Sequence, residues 1–281
     1  MTKLLASVSI ALSLSLAPTM AVARPIAPNN GGTKLGPNFQ MAQYQPPGNI
    51  GAPPTTGGGT RGTSKCPLDA ELPNPQPPLT PLMPLLAPNI GSVGLTVSEH
   101  PEFFVYVPET SAKSAEFILK DEEDNDIYQT SVPLSGEAGI VSVSLPEDRP
   151  PLEVDKNYRW FFAVICDPEN RFDELVVDGW TQRREIDRDL AAKLERETRP
   201  GDRSFIYAQN GIWHDALSIL ASEIRQGNRN DLAMVKWKQL LESAGLNKVT
   251  EVPLLLSASD GSDASEEQLP SLGDLLGPGD R

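Results

Sequence analysis

The chain has 281 residues, among them 27 prolines and 22 glycines, with 39% hydrophobic and 6% aromatic content. Its 24 Lys and Arg stand against 38 Asp and Glu, a net charge of −14, and with no basic patch to offset that field a nucleic-acid partner is excluded. Setting aside a leader and two polar ends, roughly 170 residues remain to fold, enough for one or two small domains.

Lys3, an apolar run from Leu4 to Leu16 and the small-x-small triplet Ala21-Val22-Ala23 read as a signal peptide over 1–23, cut before Arg24. The run is too short for a hydrocarbon layer that takes ~20 residues to cross, and no later run is longer, so no transmembrane segment is expected. Arg24 stands where a lipoprotein would carry Cys. The mature chain is expected in the periplasm or outside the cell.

Residues 24–65 are rich in Pro and Gly and cannot bury enough apolar surface to offset the entropy of ordering, so they read as a disordered linker. Gly57-Gly58-Gly59-Thr60-Arg61-Gly62 within them is not a phosphate loop, because no strand precedes it and no Gly-Lys-Ser/Thr ends it. Residues 66–90 form a second Pro-rich segment. Its Leu79, Leu82, Met83, Leu85 and Leu86 are expected to pack on the adjoining domain, the alternative being a docking peptide for another protein's aromatic groove.

An oxidising compartment changes the reading of the two cysteines. Cys66 and Cys166 are a candidate disulfide, against the alternative of one buried and one exposed thiol. With two Cys and two His at no ligand spacing, a zinc site is not expected, and no metal or cofactor is assigned.

Seven short runs rich in β-branched and aromatic residues fill 91–181: Val93 to Val97, Glu102 to Val107, Ala115 to Lys120, Ile127 to Val132, Gly139 to Leu145, Tyr158 to Cys166 and Leu175 to Thr181. Tyr158, six residues after Leu152 and opening the sixth strand, resembles the tyrosine corner of immunoglobulin-like and fibronectin type III domains, whose hydroxyl bonds to the preceding loop. Phe161 and Ile165 lie on the opposite face of that strand from Trp160, Phe162 and Val164. Both faces are apolar, which predicts that the following helices cover the outer one.

The period then becomes helical over 182–253. Ile186, Leu190, Ala191 and Leu194 mark one helix, Asp202 is read as the cap of a second, Asn210 of a third carrying Trp213, Leu217, Leu220 and Ile224, and Asn230 or Asp231 opens a fourth with Met234, Val235, Trp237, Leu241 and Ala244 inside. Gly245 stops it. Tyr207, Gly211, Trp213, Ala216 and Leu220 resemble the centre of a tetratricopeptide hairpin, with Ser204 at a position where that motif prefers glycine. One repeat builds no solenoid, so the peptide-binding role of such arrays does not transfer. Residues 254–281 read as a disordered acidic tail. The fold class expected is α+β: a seven-stranded antiparallel immunoglobulin-like β-sandwich followed by a small C-terminal helical bundle packed on it.

The Gly-Gly-Thr-Arg-Gly ahead of Cys66, Tyr158-Arg159-Trp160, Cys166, Val177-Asp178-Gly179-Trp180, and Tyr207-Ala208 leading to Gly211-Ile212-Trp213-His214-Asp215-Ala216-Leu217 together resemble the cyanobacterial domain-of-unknown-function family nine-two-eight, from about residue 57 to 253. The resemblance implies an exported protein of a Gram-negative-type envelope. It implies no activity.

For catalysis, the best candidate is His214 beside Asp215, but adjacent helix positions point about 100° apart, so the two side chains do not orient each other. His100, before Pro101, reads as a loop residue, and no Gly-x-Ser-x-Gly elbow is present. The acids Asp121, Glu122, Glu123, Asp124 and Asp126 read as a solvated hairpin tip, with calcium binding as the alternative. Of four tryptophans, Trp180 and Trp213 are the candidates for glycan contact, with His214 beside them. The favoured function is a noncatalytic adaptor for another envelope or secreted protein. The alternative is a glycan binder or hydrolase using a groove between sheet and helices, and the sequence carries no signal for an oligomeric state.

Overall fold

The computed structural model describes residues 43–47, 66–69, 76–87, 90–91, 93–226 and 231–255, all within the compact unit Gln40–Arg281. The expected signal peptide, most of the expected linker and the tail beyond 255 lie outside the described residues. All seven expected strands are present, at Val93–Thr96 (β4), Glu102–Val107 (β5), Ser114–Lys120 (β6), Asp126–Pro133 (β7), Gly139–Ser144 (β8), Asn157–Val164 (β9) and Leu175–Arg183 (β10). Three short ones precede them: Thr80–Pro81 (β1), Leu85–Ala87 (β2) and Ile90–Gly91 (β3).

The pairing departs from the expected sandwich. One sheet has the order β1-β5-β8, the other β4-β10-β9-β6-β7, and β2-β3 is a separate ribbon. The five-stranded sheet is mixed, because β4 runs parallel to β10, with Val93 opposite Trp180 and Thr96 opposite Arg183. The architecture is therefore α+β with two facing sheets, not an antiparallel seven-stranded immunoglobulin-like sandwich. A run of apolar residues encodes a strand but not its direction, and no hairpin joins β4 to β10 to impose one. All four β4 residues are buried, as befits a strand with a parallel neighbour.

The sheets meet through aromatic side chains. Phe103 of β5 lies 5.1 Å from Phe117 of β6 and 5.7 Å from Trp160 of β9, ring centre to ring centre. Strict alternation along β6 puts Ala115, Phe117 and Leu119 in this core and leaves Glu116, Ile118 and Lys120 outside. Fully burying each such large side chain contributes about 1.5–3 kcal/mol. Tyr158 accepts a hydrogen bond from the Glu153 backbone N–H at 2.9 Å, holding the loop ahead of β9.

Four helices follow: Arg188–Arg196 (α1), Pro200–Gln209 (α2), Trp213–Arg225 (α3) and Asp231–Ser243 (α4). They do not roof the outer face of β9. Phe161 and Ile165 on that face are only half-buried, and Arg159 lays its guanidinium over Phe161 and Trp180, at 4.7 and 5.6 Å from the ring centres, and pairs with Asp178 at 2.9 Å. The helices lie instead on β4 and β5. Trp237 of α4 packs on Phe104 at 5.9 Å, and Arg225 of α3 reaches Glu102 and Ser142. Unlike β9, β5 has two covered apolar faces, its Phe103-Phe104-Val105-Tyr106-Val107 being all buried.

The helices differ from expectation in three places, two at their ends and one in the buried face of α4. Asp202 caps nothing: α2 begins at Pro200, whose fixed φ suits a first turn, and Asp202 pairs with Lys236 of α4 at 2.5 Å. Asn210 closes α2 by donating from Nδ2 to the Ile206 carbonyl, while α3 starts after Ile212 with no side-chain cap. Met234 and Val235 are exposed, because the inward stripe of α4 runs through Ala233, Trp237, Leu240, Leu241 and Ala244. Gly245, at φ +82°, ends that helix as its left-handed residue. The α2–α3 hairpin is closed by Ser204, fully buried, donating to the Ala216 carbonyl at 2.8 Å.

Cys66 and Cys166 are bonded, with Cα atoms 5.3 Å apart. Next to the bond, Asp69 accepts from the Thr110 hydroxyl and the Ser111 N–H, so the turn Pro67–Asp69 is fixed on the loop ahead of β6. Leu79, Leu82 and Met83 are buried, whereas Leu85 is exposed. At the other end, Leu254 forms a bridge with Ile140, so the first residues of the expected tail close against β8. Among the described residues no helix is long and apolar enough to cross a membrane.

Candidate functional site

His214 and Asp215 occupy the first turn of α3, which abuts β4 through a parallel bridge between Ile212 and Leu95. The imidazole enters the space left by Gly94 and meets Phe103 edge-on at 5.3 Å. Its Nδ1 lies 3.2 Å from the Glu102 carbonyl, and Nε2 3.0 Å from Thr181 Oγ1. A carbonyl only accepts, so Nδ1 carries the proton and Nε2 accepts from the threonine hydroxyl. Both nitrogens are used. Burial then holds the pKa at about 4, outweighing the carbonyl bond, and the ring is neutral at physiological pH.

Asp215 points back to the end of β4, where its Oδ2 accepts from Thr96 Oγ1 at 2.8 Å and the Val97 N–H at 3.1 Å. Desolvation pushes its carboxyl above the usual carboxylate range, against the pull of those bonds. Burial also raises the Tyr207 phenol, with the nearby Asp215 charge adding to it. Asp215 and Tyr207 border a cleft of about 480 Å³ between the ends of β4, β5 and β8 and the α2–α3 hairpin, with Ser98, Ser144, Arg203 and Ser218 on its walls. The volume suits a small polar ligand. Arg203 is already committed, donating to the carbonyls of Leu194 and Glu197.

The structure therefore brings His214 and a carboxylate to one open cleft, but with the imidazole turned inward and saturated. It offers no lone pair for proton abstraction and no proton for a leaving group. His100 also lines this cleft, but its Nε2 is bonded to the Arg149 carbonyl. The tryptophan candidates are not on the cleft walls: Trp213 is fully enclosed and donates Nε1–H to the Leu82 carbonyl at 2.7 Å, and Trp180 lies half-buried beneath Arg159. Trp160 and Trp237 are also enclosed. At the acidic hairpin tip Asp121 accepts from Glu123 and Asn125, and Lys120 pairs with Asp126, so the carboxylates bind their own turn. Among the described residues no three His, Cys, Asp or Glu side chains are grouped to hold a metal ion.

A second feature was not legible in the sequence. Within the expected linker, residues 43–47 lie across α2, α3 and α4. Tyr44, only 5% exposed, sets its ring edge-on to Trp213 at 5.0 Å. Its N–H donates to Ser243 Oγ at 2.8 Å, and the Gln45 N–H to the Ala208 carbonyl at 3.0 Å. Pro47 follows, resting on Gly211: a Cβ there would stand 3.0 Å from the proline Cδ, and φ +75° further favours glycine. The only signal was an aromatic residue just ahead of Pro46-Pro47, which an average over forty Pro- and Gly-rich residues conceals.

A family model described as Domain of Unknown Function (DUF928) matches residues 56–254, a span that takes in β1 to β10 and α1 to α4 and begins after residues 43–47. No curated protein and no solved structure matches the chain.

Proposed function

The chain belongs to the DUF928 family, whose description names no reaction, and from that premise we propose that it is an exported, noncatalytic adaptor of the cell envelope that binds another envelope or secreted protein. The observation that carries this reading is the seated segment 43–47. A groove across three helices holds an extended peptide by one aromatic anchor, two backbone N–H donors and a proline on a glycine, which is how adaptor modules hold linear motifs. The inward-turned His214 supports the noncatalytic half. The signal-peptide pattern at 1–23 supports export.

The test is capture from an envelope extract by the full mature chain, as wild type and as Tyr44→Ala, followed by elution with a synthetic peptide of residues 40–49. A protein held more strongly by Tyr44→Ala and released by the peptide supports the adaptor. Capture that the peptide does not displace removes the groove from the account.

The cleft bordered by Asp215 and Tyr207 favours a second reading, a noncatalytic binder of envelope glycan. Ser218→Trp fills that cleft from a half-buried position on α3, so glycan retention lost in this variant, with the fold intact, would establish it. Retention unchanged in Ser218→Trp would discard it.

A further inference from the structure

We propose that the groove across α2, α3 and α4 is an exchange site, and that its occupant in trans is residues 43–47 of a second copy of this chain. The inference rests on the adaptor reading of that groove and names the partner. The contacts that seat the segment are the Tyr44 ring on Trp213, the hydrogen bonds to Ser243 and Ala208, and Pro47 on Gly211. None of them depends on the segment being joined to the same chain. The sequence known to fit the groove is carried by every copy.

The geometry of the connection allows it. The segment is followed by eighteen residues, 48–65, before Cys66, which the bond to Cys166 fixes to the folded unit. Eighteen residues reach at most about 65 Å when fully extended. A folded unit of this size has a radius of gyration of about 16 Å, so a neighbour's groove is within range. Exchange in both directions gives a closed twofold pair in which each groove is filled and no new surface is exposed. In dilute solution the tethered segment wins, since its effective concentration in its own groove is about millimolar. Crowding of chains shifts the balance toward exchange.

Two complementary variants test this in the full mature chain. Tyr44→Ala removes the anchor and leaves an empty groove. Gly211→Asn obstructs the groove while its own segment stays free, and asparagine tolerates the left-handed backbone at that position. Each alone is expected to be a monomer by light scattering. An equimolar mixture at about 100 µM, where a tethered segment would otherwise dominate, is expected to give a heterodimer of twice the monomer mass. A labelled peptide of residues 40–49 is expected to bind Tyr44→Ala and not Gly211→Asn. Should Gly211→Asn fail to fold, the wild-type chain carries the test: its mass should rise toward a dimer with concentration and fall back when excess peptide is added.

A mixture that stays monomeric, or a wild-type mass that does not respond to peptide, overturns the exchange. If the peptide still binds Tyr44→Ala, the adaptor reading survives with some other partner. If the peptide binds neither variant, both readings fall together.

Discussion

Gly94 and His214 are fitted to each other across the junction of β4 and α3: a Cβ on residue 94 would lie 2.5 Å from the imidazole Nε2. The same atom would meet Met83 Cε at 2.9 Å, the flexible end of that side chain, but the imidazole is held at both nitrogens by Thr181 and Glu102 and cannot simply turn away. Gly94→Ala is therefore expected to push the ring off Thr181 or β4 off β10, at a cost of about 1–3 kcal/mol. The urea midpoint measures it. Because the clash is between these two residues, the double variant Gly94→Ala/His214→Ala should lose less than the sum of the two single losses. Simple additivity would show that the strand, not the imidazole, absorbs the strain.

The pH dependence of stability follows from the same ring. The folded His214 pKa is about 4, below the ~6.5 of an unfolded chain, so unfolding takes up a proton as the solution is acidified. The contribution is whole above pH ~6.5 and is lost as pH falls toward 4, on the order of 3 kcal/mol in full. His214→Gln should flatten the midpoint-against-pH curve in that window. An undiminished slope would mean that the slope comes from other groups.

Asp215 works in the opposite sense. Its raised pKa means the fold prefers the protonated carboxyl, so its contribution is present at low pH and is lost as pH rises through the folded value. Asp215→Asn keeps an acceptor for Thr96 and Val97 while removing the buried charge. At pH 7 its melting temperature should equal or exceed that of the wild type. A clear fall would show that the carboxylate has a cationic or solvent partner in the cleft.

The Cys66–Cys166 bond closes a loop of sequence separation 100, for which the chain-entropy estimate is about 4.7 kcal/mol. The paired change Cys66→Ala/Cys166→Ala should therefore lower the melting temperature well beyond a typical surface substitution. It should also loosen Pro67–Asp69, whose other holds are the Asp69 bonds to Thr110 and Ser111. Thermal melts with and without reductant give the size of the effect; a melt indifferent to both would contradict it.

Lys236 and Asp202 form a buried pair between α4 and α2, with Arg199 adding a second cation at the rim. Lys236→Met leaves the carboxylate with only the exposed partner, and about 3 kcal/mol should be lost. Lys236→Met/Asp202→Leu should recover part of that, since the two buried charges leave together and the half-buried Glu223 is the group that loses the cation near it. A double variant as weak as the single one would point to packing rather than charge.

Strand positions were legible because alternation survives in single segments such as Ser114–Lys120. Pairing was not, because the direction of β4 depends on β10, some eighty residues away. The apolar outer face of β9 predicted a cover of helices, but Phe161 and Ile165 stay half-exposed, with only a guanidinium laid over Phe161, because apolar residue types alone do not say how far a face is covered. His214 and Asp215 were visible as adjacent residue types. That the imidazole would be used up internally depends on Gly94, Thr181 and Glu102, drawn from three different strands. Asn210 shows the same limit on a smaller scale: a capping residue type between two helices does not say which of them it serves.

One covalent link also governs how the chain responds to damage. Because Cys66 and Cys166 are joined, cutting a single backbone bond anywhere between them yields two fragments that still migrate as one molecule until a reductant is supplied. As long as that bond is not reduced, a nicked copy can stay assembled.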